Sequence, residues 1–123
     1  MRPETTTRVG RRGEDAALAH LESAGLRLLA RNYRCRGGEI DLVMQEGATL
    51  VLVEVRLRSS ARFGGAAASV GPRKQRRFTL AARHLLLAHR EYRGMPARFD
   101  VVAIDGDAPG GGEIHWIRDA FRL

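Results

Sequence analysis

The stretch TLVLVEVRLRSS, residues 49–60, places Val51, Val53, Val55 and Leu57 at every second position. That period of two predicts a β-strand with one apolar face. The opposite face opens with Leu50 and Leu52 and then turns to Glu54, Arg56 and Arg58. A strand that starts apolar on both faces is a buried one. An acid followed by a base on such a strand needs a chemical reason.

The flanking segments supply the layers that would bury it. Residues 13–25 carry Ala17, Leu18, Leu21 and Ala24 at helical spacing, with Glu14 and Asp15 in the first turn and Gly25 at the left-handed position that ends helices. Residues 26–34 read as a short strand, Gly37-Gly38 as a turn or bulge, and residues 39–45 as a second strand. A hairpin turn about Glu46-Gly47 leads back along residues 49–60. Residues 59–71, rich in Gly, Ala and Ser, read as a loop. Pro72 suits the first position of a helix whose stripe of Phe78, Ala81, Ala82, Leu85, Leu86 and His89 carries it to about Tyr92. Residues 97–104 form a fourth strand, DGDAPGGGE a loop, and IHWIRDAF a last strand or strand-like tail. The order α-β-β-β-α-β plus a tail predicts an α/β fold with a mixed central sheet flanked by helices. Residues 1–9 read as a flexible arm and 10–123 as one domain.

Composition narrows the class. At 123 residues, 44% hydrophobic and 28% charged, the chain has the mix of an ordinary soluble domain. Its longest apolar runs are too short to span a bilayer, and the basic N-terminus lacks the apolar segment of a secretory signal. The single cysteine, Cys35, has no partner for a disulfide, so a reduced, cytoplasmic setting is expected. Basic residues outnumber acidic ones 21 to 14, for a net charge of +7, the usual footprint of a polyanion partner and most often of nucleic acid. Lys74 is the only lysine among those 21 basic residues.

Strand alternation puts Glu39, Asp41 and Val43 on one face of the second strand, and Leu52, Glu54 and Arg56 on one face of the third. Whereas a three-residue loop without a bulge flips the parity of the two strands, a two- or four-residue turn centred on Glu46–Thr49 sets Asp41 opposite Leu52 and Glu39 opposite Glu54. Asp41 and Glu54 then become diagonal neighbours roughly 7–8 Å apart. Three carboxylates on one patch repel unless a cation sits among them. Mg²⁺ takes one or two carboxylates together with waters and substrate phosphates, so the cluster beside a basic surface suggests metal-assisted phosphodiester hydrolysis. The other reading of the same charges is an ion network in which Arg56 and Arg34 or Arg36 neutralise the acids.

The segments GRRGEDAALAHLESAGLRLLARNYRCRGGEIDLV, LVLVEVRLRS, RKQRRFTLAARHLL and RFDVVAI, with DAF near the end, resemble the YraN-like family of small bacterial proteins. That family is placed in the restriction-endonuclease-like (PD-(D/E)xK) nuclease superfamily and is similar to archaeal Holliday junction resolvases. The resemblance implies a restriction-endonuclease-like core and Mg²⁺, with Mn²⁺ able to substitute. It further implies that Glu14, Asp41 and Glu54 hold the metal, with Arg56 standing where the pattern has lysine. Gln75 matches a polar residue that some members direct towards the site. Branched or structured DNA is the implied substrate, and the two-fold symmetry of junctions implies a homodimer. An arginine keeps the charge and can clamp a phosphate, but it stays protonated and cannot serve as a general base. The alternative is a nuclease-like module that binds nucleic acid or a protein partner without cutting it.

Arg73, Lys74, Gln75, Arg76, Arg77 and Arg83 crowd the first half of the second predicted helix, a segment with no acid between Gly71 and Arg90. They are the candidate phosphate contacts, together with Arg62 in the preceding loop. His20, His84, His89 and His115 show no metal-ligand spacing, and Trp116 and Phe121 are expected to anchor the tail against the core.

Overall fold

The computed structural model describes residues 4–58, 71–105 and 113–121. Its elements are α1 (Glu4–Ser23), β1 (Arg27–Cys35), β2 (Gly38–Glu46), β3 (Thr49–Arg58), α2 (Pro72–Ala88), a single 3-10 turn (Arg90–Tyr92), β4 (Ala97–Asp105) and β5 (Glu113–Phe121). The expected order holds, and the tail is a full fifth strand. Strands lie in the order β1-β2-β3-β4-β5, with β3 and β4 parallel and every other neighbouring pair antiparallel. A parallel pair needs a crossover, and α2 provides it.

Central β3 is buried on both faces, as its sequence requires. Leu50 and Leu52 pack with Phe78, Ala81, Ala82 and Leu85 of α2. Val51 and Val53 pack with Ala17 and Leu21 of α1 on the other side. The two helices therefore cover opposite faces of the sheet. Among the described residues, no helix is long and apolar enough to cross a membrane.

Helix α1 is longer than its apolar stripe predicts, since it begins at Glu4 and takes in residues read from sequence as an arm. It ends as expected: Gly25 adopts φ 99°, while the Leu26 N–H bonds the Leu21 carbonyl and the Gly25 N–H bonds that of Glu22. Helix α2 stops at Ala88, four residues before the predicted end, and the chain turns once more at Arg90–Tyr92.

The β2–β3 hairpin corrects the predicted register. Glu46 pairs with Thr49 and Leu42 with Val53, so Leu52 pairs with Val43 rather than with Asp41, and Asp41 and Glu54 are the residues that follow the last pair on each strand. The simple alternation along β2 also fails. Ile40 and Val43 both pack under α2, whereas Leu42 and Met44 pack under α1. The break falls at Asp41, opposite a distortion of β1 where Asn32 adopts φ 52°. Gly38, at the start of β2, lets α2 approach closely, because a Cβ there would lie 2.2 Å from the Arg77 carbonyl oxygen.

The tail is anchored as its aromatic residues suggest. Phe121 stacks on Phe99 at 4.9 Å and meets Phe78 edge-on. Trp116 Nε1 donates to Asp100 Oδ2 at 2.9 Å.

Candidate functional site

The last paired residues of the β2–β3 ladder are Leu42 and Val53, and beyond them the strands part. Asp41 stands at that mouth, and its Oδ2 accepts the Val55 N–H at 2.8 Å. Its carboxyl is also in hydrogen-bonding contact with Glu54 and within electrostatic reach of Glu14. Burial, then the Glu54 and Glu14 charges, push the Asp41 carboxyl up to about 8, against the pull of the Val55 N–H. Among the described residues Asp41 has no cationic partner.

Glu54 and Asp100 are the buried charged residues of the described structure, 7% and 0% exposed. Glu54 has two cations: Lys74 Nζ lies 3.0 Å from its Oε2, and Arg56 Nη1 lies 3.7 Å from the same oxygen. Arg56 reaches it from two positions along β3, and Lys74 from the first turn of α2.

Glu14 projects from α1 towards the same region, but its carboxylate is already engaged. Asn32 Nδ2 donates to Glu14 Oε1 at 3.2 Å, and Arg31, which is ion-paired to Asp15 at 2.8 Å, lies 3.5 Å from it. The structure thus draws Asp41 and Glu54 together and sets Glu14 behind them. Among the described residues, no three acidic, histidine or cysteine side chains are already arranged as a metal cage. Two adjacent carboxyls, of which Asp41 has no cation of its own among the described residues, nevertheless match the habit of Mg²⁺, which binds through one or two carboxylates and fills its octahedron with water and phosphate.

Glu39 lies outside this cluster, ion-paired to Arg34 at 3.4 Å and to Arg77 at 3.9 Å. For Glu39, and for Arg56 with Glu54, the ion-network reading describes what is present. Asp41 is the acid it leaves without a cation.

Helix α2 presents Arg73, Arg76, Arg77 and Arg83 to solvent, with no acid in its first turn. Gln75 is partly covered on the same first turns, with its N–H bonded to the Gly71 carbonyl. Arg62 lies outside the described residues. Lys74 is the member of this group whose place the sequence did not foretell, since its ammonium reaches the buried Glu54 while half of the side chain stays exposed. A lone lysine in an arginine-rich chain was the available signal. Asp100 was also missed, because one acid in the apolar run ARFDVVAI gives no hint of its partners. It accepts bonds from Arg98, Trp116 and the Asp119 N–H.

Fold and site together define a mixed α/β protein with an acid pair, Glu54 buried and Asp41 half-buried, at the open end of two central strands and a basic helix alongside. The chain belongs to the family described as "Uncharacterised protein family UPF0102", whose model matches residues 13–104. The matched span contains Glu14, Asp41, Glu54, Arg56 and Lys74. The chain is 58% identical over 110 residues to a UPF0102 protein of Xanthomonas campestris pv. campestris (strain B100), covering 89% of this chain and 88% of that one. A UPF0102 protein of Pseudomonas entomophila (strain L48) is 52% identical over 113 residues, 92% of each chain. One from Herminiimonas arsenicoxydans is 53% identical over 123 residues, 98% of this chain and 93% of the relative.

Proposed function

We propose that this chain binds nucleic acid and cleaves structured or branched DNA in a reaction that depends on Mg²⁺ or Mn²⁺. The observation that carries the reading is the Asp41–Glu54 contact, where burial first and the Glu54 charge after it push the Asp41 carboxyl up to about 8, beside a helix whose exposed face is basic. Setting a carboxyl with no cation of its own against a second carboxyl costs stability, and such an arrangement is commoner at functional sites than elsewhere. The resemblance to restriction-endonuclease-like nucleases supports the same assignment.

Asp41 and Glu54, backed by Glu14, would hold the ion, which when bound polarises the scissile phosphate and lowers the pKa of a coordinated water. The protein's own groups do the rest. Arg73, Arg76 and Arg83 fix the phosphate backbone, with the α2 N-terminus adding its dipole. Arg56, held beside Glu54, supplies permanent positive charge for the phosphorane-like transition state. It cannot take a proton from water, so the proton leaves to solvent or to a substrate oxygen.

A second reading has one observation in its favour. Arg56 and Lys74 both sit on Glu54, as they would in a site closed by its own counter-ions. In that reading the chain binds nucleic acid, or a protein partner, without cutting it.

Incubation of the purified protein with labelled junction, flap and duplex DNA separates the two. Reactions contain Mg²⁺, Mn²⁺ or chelator, with Glu54→Gln and Arg56→Lys alongside. Metal-dependent cutting by wild type that is lost in Glu54→Gln supports the enzyme. Binding without cutting by wild type, with cutting gained by Arg56→Lys, supports the non-catalytic module.

A further inference from the structure

Glu54 is a buried carboxylate, and a buried charge is tolerated only with a partner. Its nearest cation is the Lys74 ammonium at 3.0 Å, closer than the Arg56 guanidinium at 3.7 Å. The two cations differ in freedom. The Arg56 side chain is 23% exposed and fixed along β3, whereas that of Lys74 is 49% exposed and stands on the first turn of α2. A half-exposed lysine there can leave Glu54 by rotating its four-carbon stem. Composition sharpens the point: the chain uses arginine for every basic position except this one.

We propose that Lys74 is the exchangeable cation of the acid pocket, holding Glu54 until a divalent ion arrives and then serving the scissile phosphate. This rests on the metal-dependent reading above and assigns Lys74 a role distinct from the arginines around it. A divalent ion and an ammonium compete for one carboxylate, because like charges in a poorly screened site repel. The displaced ammonium then stands beside the entering phosphate, the nearest new negative charge. Lysine suits that movement because its three donors are rotatable and its charge is compact, whereas arginine's planar fork tends to lock onto a carboxylate. No bond is made or broken in the exchange; one ion pair replaces another.

The test titrates Mn²⁺ alone into full-length wild type, Lys74→Met and Lys74→Arg, following the free ion by electron paramagnetic resonance. Cleavage of a four-way DNA junction is measured on the same proteins, and thermal melts in chelator verify that each is folded. Lys74→Met, having lost the competitor, is expected to bind Mn²⁺ about tenfold more tightly and to cut at least about tenfold more slowly. Lys74→Arg keeps a cation on Glu54 and stays within about threefold of the wild-type affinity. Equal or weaker Mn²⁺ binding by folded Lys74→Met overturns the exchange, even if wild type cleaves. Tighter binding with an unchanged cleavage rate overturns the role at the phosphate. A wild type that binds Mn²⁺ and cuts nothing ends the nuclease reading instead, and the Mn²⁺ affinities then decide the exchange by themselves.

Discussion

The Val55 N–H donates to Asp41 Oδ2 at 2.8 Å, just past the point where β2 and β3 stop pairing. A side-chain oxygen thus does what a ladder carbonyl would do, and the backbone donor of a parting strand is kept satisfied. The same bond fixes the carboxyl against Glu54, so the end of the hairpin and the geometry of the acid pair are one feature.

The first prediction concerns pH. An unfolded Asp titrates near 3.9, whereas Asp41 in the fold is pushed up to about 8. Between those values the folded state holds a proton that the unfolded state has lost, so unfolding free energy falls as pH rises through that window. Asn can still accept the Val55 N–H but cannot ionise. In chelator, Asp41→Asn is expected to match wild type near pH 4 and to exceed it by about 2 kcal/mol at pH 8, a figure already reduced for solvent screening. Urea unfolding at several pH values measures this, and parallel curves for the two proteins would show that Asp41 ionises without cost.

Divalent ions should reverse that penalty. A ligand that binds only the folded state stabilises by mass action, about 2.7 kcal/mol at one hundred times its Kd. Mn²⁺ is therefore expected to raise the melting temperature of wild type and to leave Glu54→Gln unmoved. An equal shift in both proteins would place the ion away from this acid pair.

The sequence carried the layer order because β3 is apolar on both faces and each helix shows a clear stripe, which leaves few ways to bury them. Asp41 and Glu54 were legible for the same reason: acids at even spacing on facing strands must meet on one side if the turn length keeps parity. The exact pairing was not legible. Moving a turn by one residue along both strands changes no face, so the hydrophobic pattern cannot fix it. The switch of faces at Asp41 lies across from Asn32, which adopts φ 52° in the middle of a strand, a conformation that the alternation of apolar residues does not announce. The pairing of Lys74 with Glu54 depends on how α2 is seated over the sheet, a tertiary placement that periodicity does not encode.

That seating can be tested directly. A Cβ at position 38 would meet the Arg77 carbonyl oxygen at 2.2 Å and the Ala81 nitrogen at 3.0 Å, both backbone atoms of α2. Neither can rotate aside, so Gly38→Ala must push the helix away. The expected cost is about 1–3 kcal/mol, read by chemical denaturation. Because Lys74 rides on the same helix, the variant should also lose the Lys74–Glu54 contact, seen as tighter Mn²⁺ binding. A fully stable variant would mean that α2 does not seat against Gly38.

The basic helix face makes a prediction about salt. Arg73, Arg76 and Arg83 are exposed, and none forms an ion pair with a described residue. If each neutralises one DNA phosphate, binding should weaken with log salt at a slope near −0.9 per contact on duplex DNA. Replacing all three with Gln is expected to flatten the slope by about 2–3 and to leave the melting temperature within a degree or two. Fluorescence anisotropy across a salt series gives the slope. An unchanged slope would move the DNA to another surface.

The last prediction concerns the acid that supports the tail. Asp100 is fully buried, and its oxygens accept from Arg98 Nε at 3.0 Å, Trp116 Nε1 at 2.9 Å and the Asp119 N–H at 2.9 Å. Its charge is balanced by Arg98, which is itself bound to Glu46 at 2.8 Å. Removing one partner of such a buried pair strands the other, so Asp100→Ala should cost about 3–5 kcal/mol. Asp100→Asn keeps the shape and some acceptors but leaves Arg98 without its buried counter-charge, so a smaller loss of about 1–3 kcal/mol is expected. Both variants should loosen β5, because the Asp119 N–H and Trp116 are held through this carboxylate. Hydrogen exchange localises the effect: protection should fall first in residues 113–121, while Val51 and Val53 at the centre of the sheet keep theirs until global unfolding. Uniform loss of protection across all strands would show that β5 is an inseparable part of the core rather than a strand held on by Asp100.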